Sequence, residues 1–189
     1  MTLSRKMHAV NDEGPSGARP GDRLYRLLAD EHARLDRLLA QASKEQGVKA
    51  AESYQRFRET LLRHISIEEK ILLPAIRRIR GGVPHPLAAR LKLDHGALAA
   101  LMMLPPLPST FRAVRAVLDA HNPLEDAPGG LYDQCQQIAG LELDSLIEQS
   151  RSAPQVTVSP WSYSPKVLAA AKRLLARGGY DPSLLDDSN

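Results

Sequence analysis

The chain has 189 residues and a formal charge of +3 with histidine neutral, and only 4% of its residues are aromatic. That length allows one domain with a sizeable core plus extensions, and the wealth of Leu, Ala and Arg favours packed helices over β-structure. The single cysteine, Cys135, excludes an internal disulfide framework, residues 1–20 lack the apolar centre of a secretory signal, and no run approaches the roughly 20 apolar residues that cross a bilayer. A soluble, cytoplasmic protein with no membrane association is expected.

Residues 1–20, rich in Gly, Pro, Ser and charge, are expected to form a flexible tail. The first helical pattern starts near Asp22, read as an N-cap, and runs to about Ala42 with the stripe Leu24, Leu28, His32, Leu35, Leu39. A second runs from about Val48 to Arg80, where Gly81-Gly82 ends it, with Tyr54, Phe57, Leu61, His64, Glu68 and Ile76 in line. Pro74 lies inside it and predicts a kink or a local adjustment. Its end carries the basic run Arg77-Arg78-Ile79-Arg80, which suits the negative C-terminal dipole. No reader motif or aromatic platform accompanies that charge, so a nucleic-acid partner is not expected.

The third pattern begins after Pro84 or Pro86 and continues to about Met103, with Leu87, Leu91, His95, Leu98 and Met102 aligned. The fourth starts near Ser109, read as its N-cap, and carries Phe111, Val114, Val117, Leu118 and His121; Asn122-Pro123 is expected to break its regularity. A further helix is expected from about Gly130 to Ser150. The Ser- and Pro-rich stretch 151–165 and a short helix Lys166 to Arg177, closed by Gly178-Gly179, read as an arm anchored by Trp161. Three units follow: a tail over 1–20, a helical bundle over 21–150 and an extension with a short helix over 151–189.

Four of the six histidines, His32, His64, His95 and His121, sit one per helix on these inward stripes. The other two, His8 and His85, fall in the tail and in a proline-flanked loop, where a solvated role is expected. Two of the four are followed four residues later by glutamate, as His64-x-x-x-Glu68 and His121-x-x-x-Glu125. Helical residues four apart have Cβ atoms about 5–6 Å apart, so each pair aims an imidazole and a carboxylate at one point. Taken singly, each has a bland reading: a hydrogen-bonded core histidine, a Glu68 paired on the surface with Arg63 or Lys70, a Glu125 closing a capping box after Asn122-Pro123. Four costly polar groups along one seam point instead to metal binding in the core of a helical bundle. Imidazole with carboxylate suits Fe, Mn, Zn or Ni, and two ions bridged by Glu68 and Glu125 would share the six groups. The Glu-x-x-His pairs of ferritin-like sites are absent, since Ala29, Leu61, Lys92 and Leu118 stand three residues before the histidines. A His-Glu-x-x-His protease motif is absent too.

The segments Asp30-Glu31-His32, His64-Ile65-Ser66-Ile67-Glu68-Glu69 with Leu73-Pro74, Asp94-His95 and His121-Asn122-Pro123-Leu124-Glu125-Asp126 resemble the hemerythrin family, in particular its bacterial HHE cation-binding domains. The resemblance spans roughly residues 22–150. It implies an all-α, antiparallel up-down four-helix bundle holding a non-haem di-iron centre, although another divalent cation could occupy it. It makes His32, His64, His95 and His121 terminal ligands and Glu68 a bridging carboxylate. The second bridge is Glu125 by the HHE pattern or Asp126 by that of the oxygen-carrying members. Those members have a further histidine where this chain has Ala99, and water, Asp126 or Tyr132 are the candidates to fill the gap. The departure counts against reversible oxygen storage. It implies a protein that meets O2, NO or peroxide in sensing, iron handling or stress response; the alternatives are a peroxide-consuming or ferrous-oxidising enzyme, and an interaction bundle with a degenerate site.

Overall fold

A computed structural model describes residues 22–186. The expected N-terminal tail and His8 lie outside them. Among the described residues the regular structure is helical: α1 (Arg23–Lys44), α2 (Gly47–Ile67), α3 (Leu73–Ile79), α4 (Ala88–Leu101), α5 (Pro108–Asp126), α6 (Leu131–Ile138), α7 (Leu143–Ser152) and α8 (Pro165–Arg177), with short 3₁₀ turns at Gly140–Glu142 and Pro182–Leu185. None of these helices is long and apolar enough to cross a membrane.

Each histidine-bearing helix threads two apolar clusters and carries its histidine between them. One cluster gathers Leu35, Leu39, Tyr54, Phe57, Leu61, Leu98, Val114 and Val117. The other gathers Leu24, Leu28, Ile67, Leu72, Leu91, Leu131 and Cys135. Along α1 the stripe passes from Leu28 in the second cluster through His32 to Leu35 in the first, and along α4 from Leu91 through His95 to Leu98. Along α2 it passes the opposite way, from Leu61 through His64 to Ile67. Apolar layers on both sides thus exclude water from a polar layer that every one of these helices crosses.

The expected second helix is interrupted. A π-helical turn, Glu68–Leu72, joins α2 to α3 and places Pro74 in the first turn of α3, where its missing N–H costs little. The adjustment begins at Glu68 itself. Pro123 does not end α5, which continues to Asp126, and Glu125 is buried inside it. The capping-box reading of Glu125 is therefore wrong, and so is Ser109 as N-cap, since α5 starts at Pro108 with Ser109 buried in its first turn. Asp22 precedes α1 but contributes its backbone carbonyl, which accepts from the Arg26 N–H at 2.9 Å, and not a side-chain cap.

The helix expected over 130–150 is two helices. Gly140 adopts φ +48°, a left-handed conformation open to glycine at no steric cost, and the chain turns there between α6 and α7. At the other end of α6, Gly130 is packed so closely that a Cβ would lie 2.7 and 2.8 Å from the carbonyl oxygens of Glu125 and Ala127. That tight reversal folds α6 back against α1 and α5. The stretch after α7 returns to the helices through Trp161, 5.9 Å from Tyr54 ring to ring, and through Arg58. Arg58 is fully buried and donates to the carbonyl oxygens of Met102 and Ser159, each at 2.6 Å. α8 then packs on α4, with Ala171 and Leu175 in the first cluster.

Candidate metal centre

All six residues singled out in the sequence meet between the two apolar clusters. His32, His64, His95 and His121 are each at most 4% exposed, and Glu68 and Glu125 are fully buried. They form two groups, His32–His64–Glu68–Glu125 and Glu68–His95–His121–Glu125, within each of which one donor atom per residue lies within 4.8 Å of every other. Both glutamates belong to both groups. Glu68 Oε1 is 3.2 Å from His64 Nε2, and its Oε2 is 3.2 Å from His95 Nε2. Glu125 Oε2 is 3.1 Å from His121 Nε2 and 3.4 Å from His32 Nε2. The surface pairing of Glu68 with Arg63 is excluded, because Arg63 instead donates to Glu31 at 3.0 Å.

Every imidazole points Nε2 inward and offers Nδ1 to a carboxylate on a neighbouring helix. Glu31 on α1 meets His64 on α2 at 2.8 Å, and Glu69, next to Glu68, meets His95 on α4 at 3.1 Å. Asp94 on α4 meets His121 on α5 at 3.5 Å, and Asp126 on α5 meets His32 on α1 at 3.0 Å. These pairings form a closed ring around the four helices. A carboxylate behind an imidazole fixes its tautomer and orientation and raises its basicity toward a cation. These acids lie in the segments that carry the family resemblance, where their place behind the imidazoles was not expected. The available signal was an acid next to each inward residue, turned about 100° round the helix and so toward the adjacent helix. Asp126, an alternative second bridge by sequence, stands outside the cluster with its side chain 32% exposed.

The two groups differ in one occupant. The Tyr132 hydroxyl, carried by α6, lies 3.0 Å from His32 Nε2, 3.1 Å from His64 Nε2 and 3.1 Å from Glu125 Oε2, and it donates to Glu68 Oε1. It thus enters the His32/His64 half and not the gap beside His95, for which it was one of three candidates with water and Asp126. The Gly130 reversal decides this by setting α6 against α1. In the other half, Glu68 Oε2, His95 Nε2 and Glu125 Oε1 are buried with no well-formed hydrogen bond, Glu68 Oε2 and His95 Nε2 lying 3.2 Å apart. Buried polar atoms are rarely left so, and imidazole and carboxylate together fit a divalent cation.

The electrostatics of the protein without a cation agree with that fit. Burial opposes charge on His64, but Glu68, Glu31 and Glu125 outweigh it and push the imidazole up to about 10. Burial is likewise overcome at His121 by Asp94, Glu125 and Glu68, again up to about 10. Glu68, despite its burial, is held well below the ordinary carboxylate range by His64 and His95. Burial and the negative charges of Glu125 and Glu68 push the Tyr132 phenol well above its ordinary value. Protons on His64 and His121 therefore sit beside the Glu68 charge, and a cation entering would displace them.

A cavity of about 480 Å³ is lined by Glu69, the outer partner of His95, with Pro74, Arg77, His85 and Lys92 among others. His85 is buried, contrary to its expected solvated role; its Nε2 lies 2.9 Å from Gln134 Oε1, which fixes the loop before α4. Cys135 is buried, and its thiol is raised above its ordinary value by burial and by Glu68 and Glu125. A thiol in that state is unreactive.

Among the described residues, fold and site together define a helical protein with a buried four-histidine, two-glutamate cage suited to cations. The family model described as Hemerythrin HHE cation binding domain matches residues 23–128, more than half of the chain, and the chain belongs to that family. Comparisons with curated proteins and with solved structures gave no match.

Proposed function

We propose that His32, His64, Glu68, His95, His121 and Glu125 ligate two iron ions and that the protein meets O2, NO or peroxide there, in sensing, iron handling or stress response. The observation that carries this reading is the sharing of Glu68 and Glu125 by two four-donor groups. A single tetrahedral ion needs four donors and no shared carboxylate, whereas two adjacent ions need a bridge. The alternating passage of the helices between the two apolar clusters supports the antiparallel up-down bundle of that family. Iron would supply redox chemistry and open coordination positions. The protein's own residues orient four imidazoles from behind, keep water out with two apolar layers and place a phenol oxygen at the His32/His64 half. Ala99 is only partly buried on α4 and cannot ligate, which leaves the His95/His121 half with the four donors of its group and no third histidine.

Metal analysis of the purified protein, with absorption spectra before and after air, azide and peroxide, tests this reading. Two irons per chain and a near-ultraviolet oxo-bridge band are expected, with spectra that respond to azide or peroxide. Protein that takes up no iron, ferrous or ferric, would overturn the reading. Sustained peroxide consumption or ferrous oxidation would place the centre among enzymes.

A further inference from the structure

Three links of the carboxylate ring are 2.8–3.1 Å long, and the fourth, from Asp94 to His121, is 3.5 Å. The long link is the one that the C-terminal segment touches. Asp94 Oδ1 accepts from the Tyr180 hydroxyl at 2.7 Å and from Arg90 Nη2 at 2.9 Å, while Oδ2 accepts from Arg90 Nε at 3.0 Å. Arg90 is in turn held by Tyr180, whose hydroxyl takes Nη2 at 2.9 Å and whose ring lies 5.3 Å beneath the guanidinium, and by the Gly178 carbonyl at 2.8 Å.

Glu31 shows the alternative. It too serves an arginine and a histidine, but each has its own oxygen: Oε1 takes Arg63, and Oε2 takes His64 at 2.8 Å. Asp94 is fully buried and must divide two oxygens among four donor contacts, so His121 Nδ1 is left with the longest link of the ring, 3.5 Å, and no well-formed hydrogen bond. The seat of Tyr180 is closely fitted, because a Cβ on Gly178 would lie 3.0 Å from ring atoms Cδ2 and Cε2. Tyr180 and Gly178 lie beyond residues 23–128, the part of the chain that the family model matches.

We propose that Tyr180 is a positioning residue for the cation centre: by drawing Asp94 and Arg90 toward the C-terminal segment it loosens the support of His121, so that docking of residues 178–186 and occupancy of the His95/His121 position oppose one another. The inference rests on the metal reading above. Linkage requires the effect to run both ways: an ion that pulls His121 and Asp94 together weakens the grip on Tyr180.

The test uses the full chain titrated anaerobically with ferrous iron against a competing chelator. Tyr180→Phe keeps the ring over Arg90 and removes the hydroxyl. Asp94 can then close on His121, and the ion at the His95/His121 position is expected to bind up to about tenfold more tightly. Asp94→Asn is expected to weaken the same ion about 10–100-fold. Gly178→Ala, which crowds the Tyr180 ring, should act in the direction of Tyr180→Phe. A tyrosine that merely stabilised the fold would make Tyr180→Phe weaken binding, as Asp94→Asn does. The second readout is trypsin cleavage after Arg177, expected to be faster in iron-loaded than in iron-free wild type, with the difference lost in Tyr180→Phe. Wild-type protein that binds iron while Tyr180→Phe matches it within twofold, or binds more weakly, overturns the proposal and leaves the metal reading standing. Wild-type protein that binds no iron overturns both.

Discussion

Around His32 and His64 the four inward donors already share a partner, the Tyr132 hydroxyl, whereas around His95 and His121 no hydroxyl of the described residues intervenes and three buried atoms make no well-formed hydrogen bond, with Glu68 Oε2 and His95 Nε2 facing each other at 3.2 Å. Both halves use two imidazoles and the same two glutamates, and in both the paired imidazoles pack edge to face at nearly equal ring separations, 4.8 and 4.9 Å. The difference comes from outside that set. A residue on α6 reaches one half and not the other. Like ligands therefore do not make like sites. An ion entering the first half must compete with a phenol that holds its proton strongly, and one entering the second meets buried atoms without a well-formed hydrogen bond.

Glu68 belongs to both halves, so replacing it should erase the comparison altogether. Glu68→Ala is expected to reduce metal content from two ions per chain to nearly none by elemental analysis, while His85→Ala, outside the cage, retains both. Removing one histidine from each half should then separate them. With one equivalent of ferrous iron added anaerobically, His95→Ala should lose the tighter ion and His32→Ala should keep it. The reverse order of loss would show that the Tyr132 half fills first.

Tyr132→Phe should sharpen the contrast further. In the metal-free protein it leaves Glu68 Oε1 without its phenol donor in a fully buried position, a loss of about 1–3 kcal/mol by denaturant unfolding. The same substitution should bring the two iron affinities closer together. Equal stability of the variant and the wild type without metal would mean that the hydroxyl does not bind the cage as described.

The smallest expected effect is a slope with pH. His64 and His121 are raised from 6.5 to about 10, so the stability they give the metal-free protein is complete below 6.5 and fades as pH rises through 10. Glu68 is depressed from 4.5, so its contribution is present above 4.5 and fades as pH falls through its lowered value. Metal-free protein should therefore unfold more easily at pH 9 than at pH 6. The iron-loaded form, whose imidazoles bind as neutral ligands, should not show that slope.

The inner six were legible because of periodicity. His32 lies four residues from Leu28 and three from Leu35, and His95 stands likewise between Leu91 and Leu98, so a buried apolar stripe carried each histidine inward with it. The breaks were less legible. Pro123 and Pro74 carry the same sequence signal, yet α5 runs on past one, while a π-helical turn shifts the register before the other. The single helix expected over 130–150 failed at Gly140, where one left-handed residue outweighed an otherwise helical pattern.

The sequence by itself thus determined that the chain is helical, that it belongs with the HHE cation-binding proteins, and which six side chains face a common interior. These follow from spacing along single helices, which local geometry fixes. Only the tertiary structure decided which carboxylate stands behind which imidazole, that Tyr132 enters the His32/His64 half, that Asp126 stays outside the cage, and that Tyr180 reaches Asp94. Each of these joins residues from different helices or turns, some about 100 positions apart, and no periodicity along one element encodes which neighbour its side face will meet.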